Sequence, residues 1–314
     1  MKYTKYFFLC CLFCCLTSYA QDDVMTLRIM TYNIQHGAGR DDVIDLDRQA
    51  AVIRNADPEI IGLQEVDSCV KRSNRVHQAA VMANSLGMYS TFGPAIPLTG
   101  GKYGVAFLSK EKPLSHRNIP LPGNEKRTLL VCEFEEYVFA TTHLALEEEN
   151  RLTSLEIILE EAARWDKPFF ICGDLNDEPT STLITQMKKK FSFLNYITNN
   201  STNYTFPSGV PKKIIDYIAS YGRVYKSIRK RQVLNEPDAS DHRPVLVEIR
   251  MDRYTTPIIS PTEENVQGFN SSWIQLDAVC DLSGRKINPS LIPHPSSLKK
   301  GLYIVNGKKL FIGN

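Results

Sequence analysis

Phe169-Phe170-Ile171-Cys172-Gly173-Asp174-Leu175-Asn176-Asp177-Glu178-Pro179 begins as an apolar run and stops abruptly in Gly-Asp-Leu-Asn and a proline. An apolar run of that length bounded by Gly and Pro predicts a fully buried strand. Its carboxyl end carries Asp174 and Asn176 to a rim. Taken alone, Asp and Asn after a strand are commonest as turn formers that bond their own backbone two residues on. This turn has company: Asn33, Glu65, His143, Asp216 and the pair Asp241-His242 each stand just past an apolar run of their own.

Outward from that stretch the pattern alternates between strand and helix. Residues 26–33 alternate apolar and polar side chains, which predicts a first strand ending at Asn33, with a Gly-rich loop at 36–40 behind it. Leu46, Ala50 and Ile53 recur at helical spacing, with Asp45 as cap and Asp57-Pro58 as stop. Residues 60–63 form a second buried strand that delivers Glu65. Residues 76–86 read as a helix closed by Gly87. Strand-like runs follow at 103–109, 128–134 and 138–144. Leu152, Leu155, Leu159 and Ala162 mark an amphipathic helix that Asp166-Lys167-Pro168 ends. A helix near 182–190 and strands at 214–219 and 245–250 complete what reads as an α/β layered core.

With 314 residues, 43% of them hydrophobic, the chain can bury a large core and carry one small unit besides. Residues 1–20 look like a cleaved export signal. Lys2 and Lys5 precede an apolar run at 7–16, and Ser18-Tyr19-Ala20 supplies small residues for cleavage. That run is too short for a bilayer, which needs roughly 20 residues. A lipoprotein signal on Cys14 or Cys15 lacks the small residue expected just before a lipidated cysteine. The expected organisation is a signal at 1–20, a catalytic domain at 21–252, a Pro/Ser/Thr/Asn-rich linker at 253–272 and a small β module at 273–314. Asn306-Gly307 is a hairpin signal inside that module.

Four of the eight cysteines lie in the signal, leaving Cys69, Cys132, Cys172 and Cys280. No pair has metal-ligand spacing, Cys132 and Cys172 sit in apolar runs, and no obligatory disulfide is expected. Formal charge is 37 minus 35, or +2, and loss of Lys2 and Lys5 takes the mature chain to zero. Neutrality, with no aromatic-interleaved basic stretch, lends no support to life on nucleic acid.

A carboxylate just past a buried strand, such as Glu65, is costly unless it is paired or bound to a cation. A structural salt bridge would satisfy it. Asn33, Asp174, Asn176 and Asp241 bring further oxygens, however, and repulsion among the acids suits a hard divalent ion, Mg²⁺ or Mn²⁺. Zinc fits less well, because no His-Cys spacing accompanies it. His143 and His242 stand at strand ends, His242 beside Asp241. A histidine with a carboxylate partner serves as a base or as a cation facing phosphate. No Gly-x-Ser-x-Gly elbow supports a serine hydrolase.

Thr31-Tyr32-Asn33-Ile34, Leu63-Gln64-Glu65-Val66-Asp67, Thr142-His143-Leu144, Gly173-Asp174-Leu175-Asn176, Ile215-Asp216-Tyr217-Ile218 and Ser240-Asp241-His242-Arg243-Pro244 occur in that order. Together they resemble the successive motifs of the endonuclease/exonuclease/phosphatase (DNase I-like) superfamily, over residues 27–249. The resemblance implies a four-layer α/β sandwich, two packed mixed sheets flanked by helices, with the site at one end. It implies that Glu65, helped by Asn33 and Asp241, holds the metal, that Asp174 orients the attacking water and that Asn176 bonds the phosphate. His242, held by Asp216, is then base or phosphate stabiliser, and His143 stabilises developing charge. Asp67, Arg72, Gln78, Gly101, Tyr103 and Arg127 match a subgroup that includes secreted bacterial hydrolases. In it Arg72, Tyr103 and Arg127 bind substrate, the two arginines by bidentate contact with phosphate; ordinary surface arginines are the alternative. Residues 281–286 and 298–309 resemble C-terminal sorting modules of type IX secretion cargo.

The expectation is therefore an exported, Mg²⁺-dependent phosphoesterase, in the periplasm, at the cell surface or outside the cell, acting as a monomer. A phosphodiesterase for a small or lipid-linked phosphate leads. A secreted nuclease acting on DNA or RNA and a non-catalytic binding module on the same fold are the alternatives.

Overall fold

The computed structural model describes residues 24–254 and four later strands. The signal expected at 1–20 and nearly all of the expected linker lie outside the described residues. Chain contacts divide the protein into two compact units, Met1–Arg253 and Tyr254–Asn314.

In the larger unit the chain runs β1 (Val24–Asn33), α1 (Leu46–Ala56), β2 (Ile60–Ser68), α2 (Gln78–Leu86), β3 (Tyr89–Leu98), β4 (Gly101–Ser109), β5 (Ser115–Leu121), β6 (Arg127–Glu133), β7 (Val138–His143), α3 (Glu148–Ala162), β8 (Phe169–Asp174), α4 (Thr182–Met187), β9 (Phe191–Phe193), β10 (Asp216–Tyr221), β11 (Ser227–Val233) and β12 (Val245–Asp252). Two six-stranded sheets result, ordered β11-β12-β1-β2-β4-β3 and β5-β6-β7-β8-β10-β9. Both are mixed: β1 and β2 are parallel in one, β7 and β8 in the other, and the remaining pairs are antiparallel. Each parallel pair is joined through a helix, as a crossover of this kind requires.

Period-two alternation splits every interior strand between two cores. Leu27 and Ile29 face the space between the sheets, while Met30 and Tyr32 face α1 and α2. Phe170 and Cys172 join the space between the sheets, while Phe169 and Ile171 pack towards α3 and α4. Three apolar cores between four layers make an α/β sandwich. The helix ends obey local rules. The Asp45 side chain accepts from Arg48 N at 2.9 Å, Asp57 closes α1 with φ 47°, and Gly87 closes α2 with φ 66°.

Two departures from the sequence reading concern strands. The second strand does not stop at Leu63 but continues to Ser68 through a bulge, Gln64 and Glu65 standing opposite Val105 alone. Four strands went unpredicted, β3, β5, β9 and β11, and all four are sheet edges.

In the smaller unit the described strands, β13 (Val279–Cys280), β14 (Lys286–Ile287), β15 (Gly301–Val305) and β16 (Lys308–Ile312), form one antiparallel sheet ordered β14-β13-β15-β16. Asn306 and Gly307 separate the last two, as the hairpin signal predicts. No helix among the described residues is long and apolar enough to cross a membrane.

Candidate active site

The carboxyl ends of the parallel strands gather the polar residues. Asn33 ends β1, His143 ends β7 and Asp174 ends β8, with His143 paired to Asp174 in register. β10 runs the other way, so its first residue, Asp216, lies opposite Asp174. Close approach of strands and sheets makes this possible. At Gly173, φ 152°, a Cβ would stand 1.9 Å from Thr142 O, and at Gly62 a Cβ would stand 2.3 Å from Cys172 Sγ of the facing sheet. Both positions demand glycine.

Across the seam between the sheets, Asn33 Nδ2 donates to Glu65 Oε1 at 3.1 Å and to Asp174 Oδ2 at 3.2 Å. Asn33 Oδ1 accepts from Gln35 N at 3.1 Å, which fixes the amide with its nitrogen towards the carboxylates. Asn33 thus bridges the acids of two sheets. Asp174 Oδ2 lies 3.5 Å from His143 Nε2 and 3.6 Å from His242 Nε2. Its other oxygen accepts from Asn176 N at 2.9 Å. Asn176, at φ 51°, turns Nδ2 to His143 Nε2 and to Leu144 O, each at 2.9 Å. His242 Nδ1 meets Asp216 Oδ2 at 3.0 Å, and the Phe206 ring lies 4.7 Å from the His242 ring. Asp241 is half-buried beside this group, donating its N–H to Gln35 Oε1 at 3.2 Å, while Ser240 Oγ donates to Asn33 O at 2.7 Å.

Electrostatics separates the two histidines. Burial opposes a charge on His242, but Asp216 and Asp174 outweigh it and push the imidazole up to about 10. His143 is held well below its ordinary value by burial, then by Arg127 and His242, so it is neutral. Burial raises Asp174 to about 7, against the pull of His242. Glu65 and Asp241 are also raised, each chiefly by burial.

Two carboxylate groups here are candidates for a cation. Asp174, Asp216 and His242 bring one ligand atom each within 4.8 Å of one another. A protonated His242 already supplies the positive charge in that group, however, and the three pair among themselves. Glu65 and Asp241 differ: both are acidic, each is raised by burial, and no salt bridge neutralises either among the described residues. Buried oxygen donors that no direct ion pair neutralises are what a hard divalent ion requires.

The three residues expected to bind substrate lie to one side, already engaged. Arg72 Nε and Nη2 donate to the fully buried Asp67 at 2.8 and 2.9 Å, and its guanidinium lies 5.5 Å from the Tyr103 ring centre. The Nε–Nη2 fork is thus unavailable to phosphate, leaving Nη1. Arg127 is buried and paired with Glu125, its Nε without a partner among the described residues. With Tyr103 and His143 it lines a small cavity. Neither is an ordinary surface arginine. Gln35, Ser240 and Phe206 escaped the sequence reading. Ser240 stands inside a quoted motif, where it was given no role, Gln35 adjoins one, and Phe206 has no such signal.

The sequence pattern of the Endonuclease/Exonuclease/phosphatase family matches residues 30–242, well over half of the chain and the whole span of this site. The chain belongs to that family. Members of the endonuclease/exonuclease/phosphatase family hydrolyse phosphoesters, in general with a divalent metal. No curated protein sequence matches it. Among solved structures it is similar to an endonuclease/exonuclease/phosphatase from Beutenbergia cavernae, at 19% identity and a TM-score of 0.60, over 84% of this chain and 88% of that one. A family protein from Bacteroides thetaiotaomicron gives 18% identity and a TM-score of 0.59, over 73% and 99%. A mannosyl-6-phosphatase from the same organism gives 19% and 0.57, over 71% and 99%. At such identities the likeness speaks for the fold.

Proposed function

We propose that the protein is an exported, divalent-metal-dependent phosphodiesterase that breaks a P–O bond by in-line attack of water. The observation that carries this reading is the place of Asp174, its Oδ2 within 3.6 Å of both histidine Nε2 atoms and bridged by Asn33 to Glu65. A carboxylate that titrates near neutrality suits the acceptance of a proton from water. Asp174 orients that water and takes its proton. His242, kept cationic by Asp216, faces the negative charge that grows on the phosphate oxygens, and its protonation makes it unfit as the base. Neutral His143 and the Asn176 amide stabilise the same charge by hydrogen bonding. Glu65 and Asp241 hold the cation, and Asn33 keeps Glu65 and Asp174 in register. A bound Mg²⁺ or Mn²⁺ polarises a phosphoryl oxygen as a Lewis acid. Residues 1–20 support export.

A small or lipid-linked diester is the proposed substrate. Hydrolysis of small phosphodiesters, phosphomonoesters, phospholipids and plasmid DNA, each with Mg²⁺ and with EDTA, tests the reading. Diesters are expected to turn over with metal alone. Turnover that survives full chelation, or none on any phosphoester, would overturn it.

A further inference from the structure

Net neutrality of the mature chain conceals a strong segregation of charge. From Lys188 to Val233 the sequence has ten Lys and Arg against one acid, Asp216, which is buried at the catalytic end. Helix α3 carries the opposite bias, five glutamates against one arginine. Lys212 and Lys213 lie beside Phe206 at the catalytic end, and the other basic residues gather along one side of the sandwich, where the edge strands β9 and β11 of the two sheets meet. Arg231 makes the junction: its Nε donates to Leu194 O at 2.6 Å and its guanidinium lies 4.8 Å from the centre of the Tyr196 ring. A bulge between Ile228 and Lys230 re-aims the strand so that Arg231 reaches the facing sheet.

The basic track has a direction. Lys188–Lys190 and Arg223 flank the far end of β10, where Gly222 N donates to Lys190 O at 2.8 Å. Asn195, the neighbour of Tyr196, is tied at the other end, donating to Asp216 O at 3.3 Å. β10 between them has six residues, about 20 Å. Lys189, Lys190, Arg229 and Lys230 are exposed, and none is in an ion pair among the described residues. Lys226 is paired with Asp252.

We propose that this β9–β11 edge, which runs up to the catalytic end without sharing its residues, is a binding surface for single-stranded nucleic acid. A line of cations along a strand matches the spaced phosphates of an extended chain, and the half-exposed Tyr196 beside Arg231 offers a ring to a base. A lipid surface fits less well, because docking on a membrane calls for aliphatic side chains to insert. Tyr196 is the one large apolar residue exposed on this edge among the described residues.

Fluorescence anisotropy of a labelled dT20 oligonucleotide with the full chain, in EDTA so that nothing is cut, tests the surface. The affinity is expected to fall steeply with salt. Changing Lys189, Lys190, Arg229 and Lys230 together to Gln should lower the salt slope by about 3 and weaken binding about tenfold or more, since each single-strand phosphate contact contributes roughly 0.7. Tyr196→Ala, which leaves the charges in place, should weaken binding about 5- to 100-fold. Turnover of bis(p-nitrophenyl) phosphate with Mg²⁺ should stay at the wild-type level in both variants. Salt-independent binding, wild-type affinity in the quadruple variant, or equal loss of binding to anionic phospholipid vesicles would overturn the proposal. Failure of the wild type to cleave the small diester would instead sink the catalytic reading and leave the binding result standing.

Discussion

Asp216→Asn removes one negative charge 3.0 Å from His242 Nδ1 and leaves the shape almost unchanged. The amide oxygen still accepts from Nδ1, and the amide nitrogen takes the place of Oδ1, which has no partner among the described residues. His242 stands at about 10 against an ordinary 6.5, a rise that at 1.36 kcal/mol per unit is worth about 5 kcal/mol at most. Asp216 shares that with Asp174, so its removal should cost about 2–3 kcal/mol, as for a charge-assisted hydrogen bond, and bring His242 down about two units. Because the folded chain holds this proton more tightly than the unfolded one, the stabilisation is complete below about pH 6.5. It is lost as pH climbs through 10. Turnover of a small diester across pH, with saturating Mg²⁺, reads the effect: near pH 7 both proteins keep His242 protonated and the gap is small. At pH 9 the variant should be about tenfold slower than that gap allows. A gap of equal size at every pH would mean that Asp216 acts through geometry alone. A wild-type basic limb centred near 6.5 would remove the imidazolium altogether.

Asp174→Asn should abolish turnover, by about 10²–10⁴-fold, and yet raise the melting temperature at pH 8. A buried carboxyl lifted from 3.8 to about 7 costs stability increasingly as pH rises through that interval, and the amide escapes the cost. A variant that melts lower, or still turns over, contradicts this. Glu65→Gln should shrink the Mg²⁺-induced rise in melting temperature seen with the wild type, by weakening cation binding to the folded state; an undiminished rise would place the cation elsewhere. Gly173→Ala should destabilise by about 3 kcal/mol or more, since its Cβ would lie 1.9 Å from Thr142 O. Denaturant unfolding checks this, and a loss under 1 kcal/mol would refute it.

Interior strands were legible because both their faces are buried, so β2, β4, β6, β7, β8, β10 and β12 declare themselves as apolar runs and β1 by its alternation. Edge strands were not, for a physical reason. β3 carries Pro94 and Pro97, β5 carries His116-Arg117-Asn118, β9 has three residues and β11 carries Arg229-Lys230-Arg231. Prolines, charges and shortness are the devices that stop edges from pairing with other chains, and they erase the strand signal. The site was readable for the same reason as the interior strands, since its residues stand at their ends. Orientation was not. Which way the Asn33 amide turns depends on Gln35 N, and the engagement of Arg72 depends on Asp67, whose side chain no spacing reveals as buried. Charge segregation likewise arises only once β9 and β11 meet.

Cys132 and Cys172 lie in the seam between the sheets, their thiols pushed up to about 12 by burial. While the sandwich is closed they are inert towards oxidants. Once heat parts the two layers, both become ordinary sulfhydryls, free to cross-link one molecule to another. Calorimetric scans without a reductant should therefore fail to retrace on cooling, and added dithiothreitol should restore reversibility.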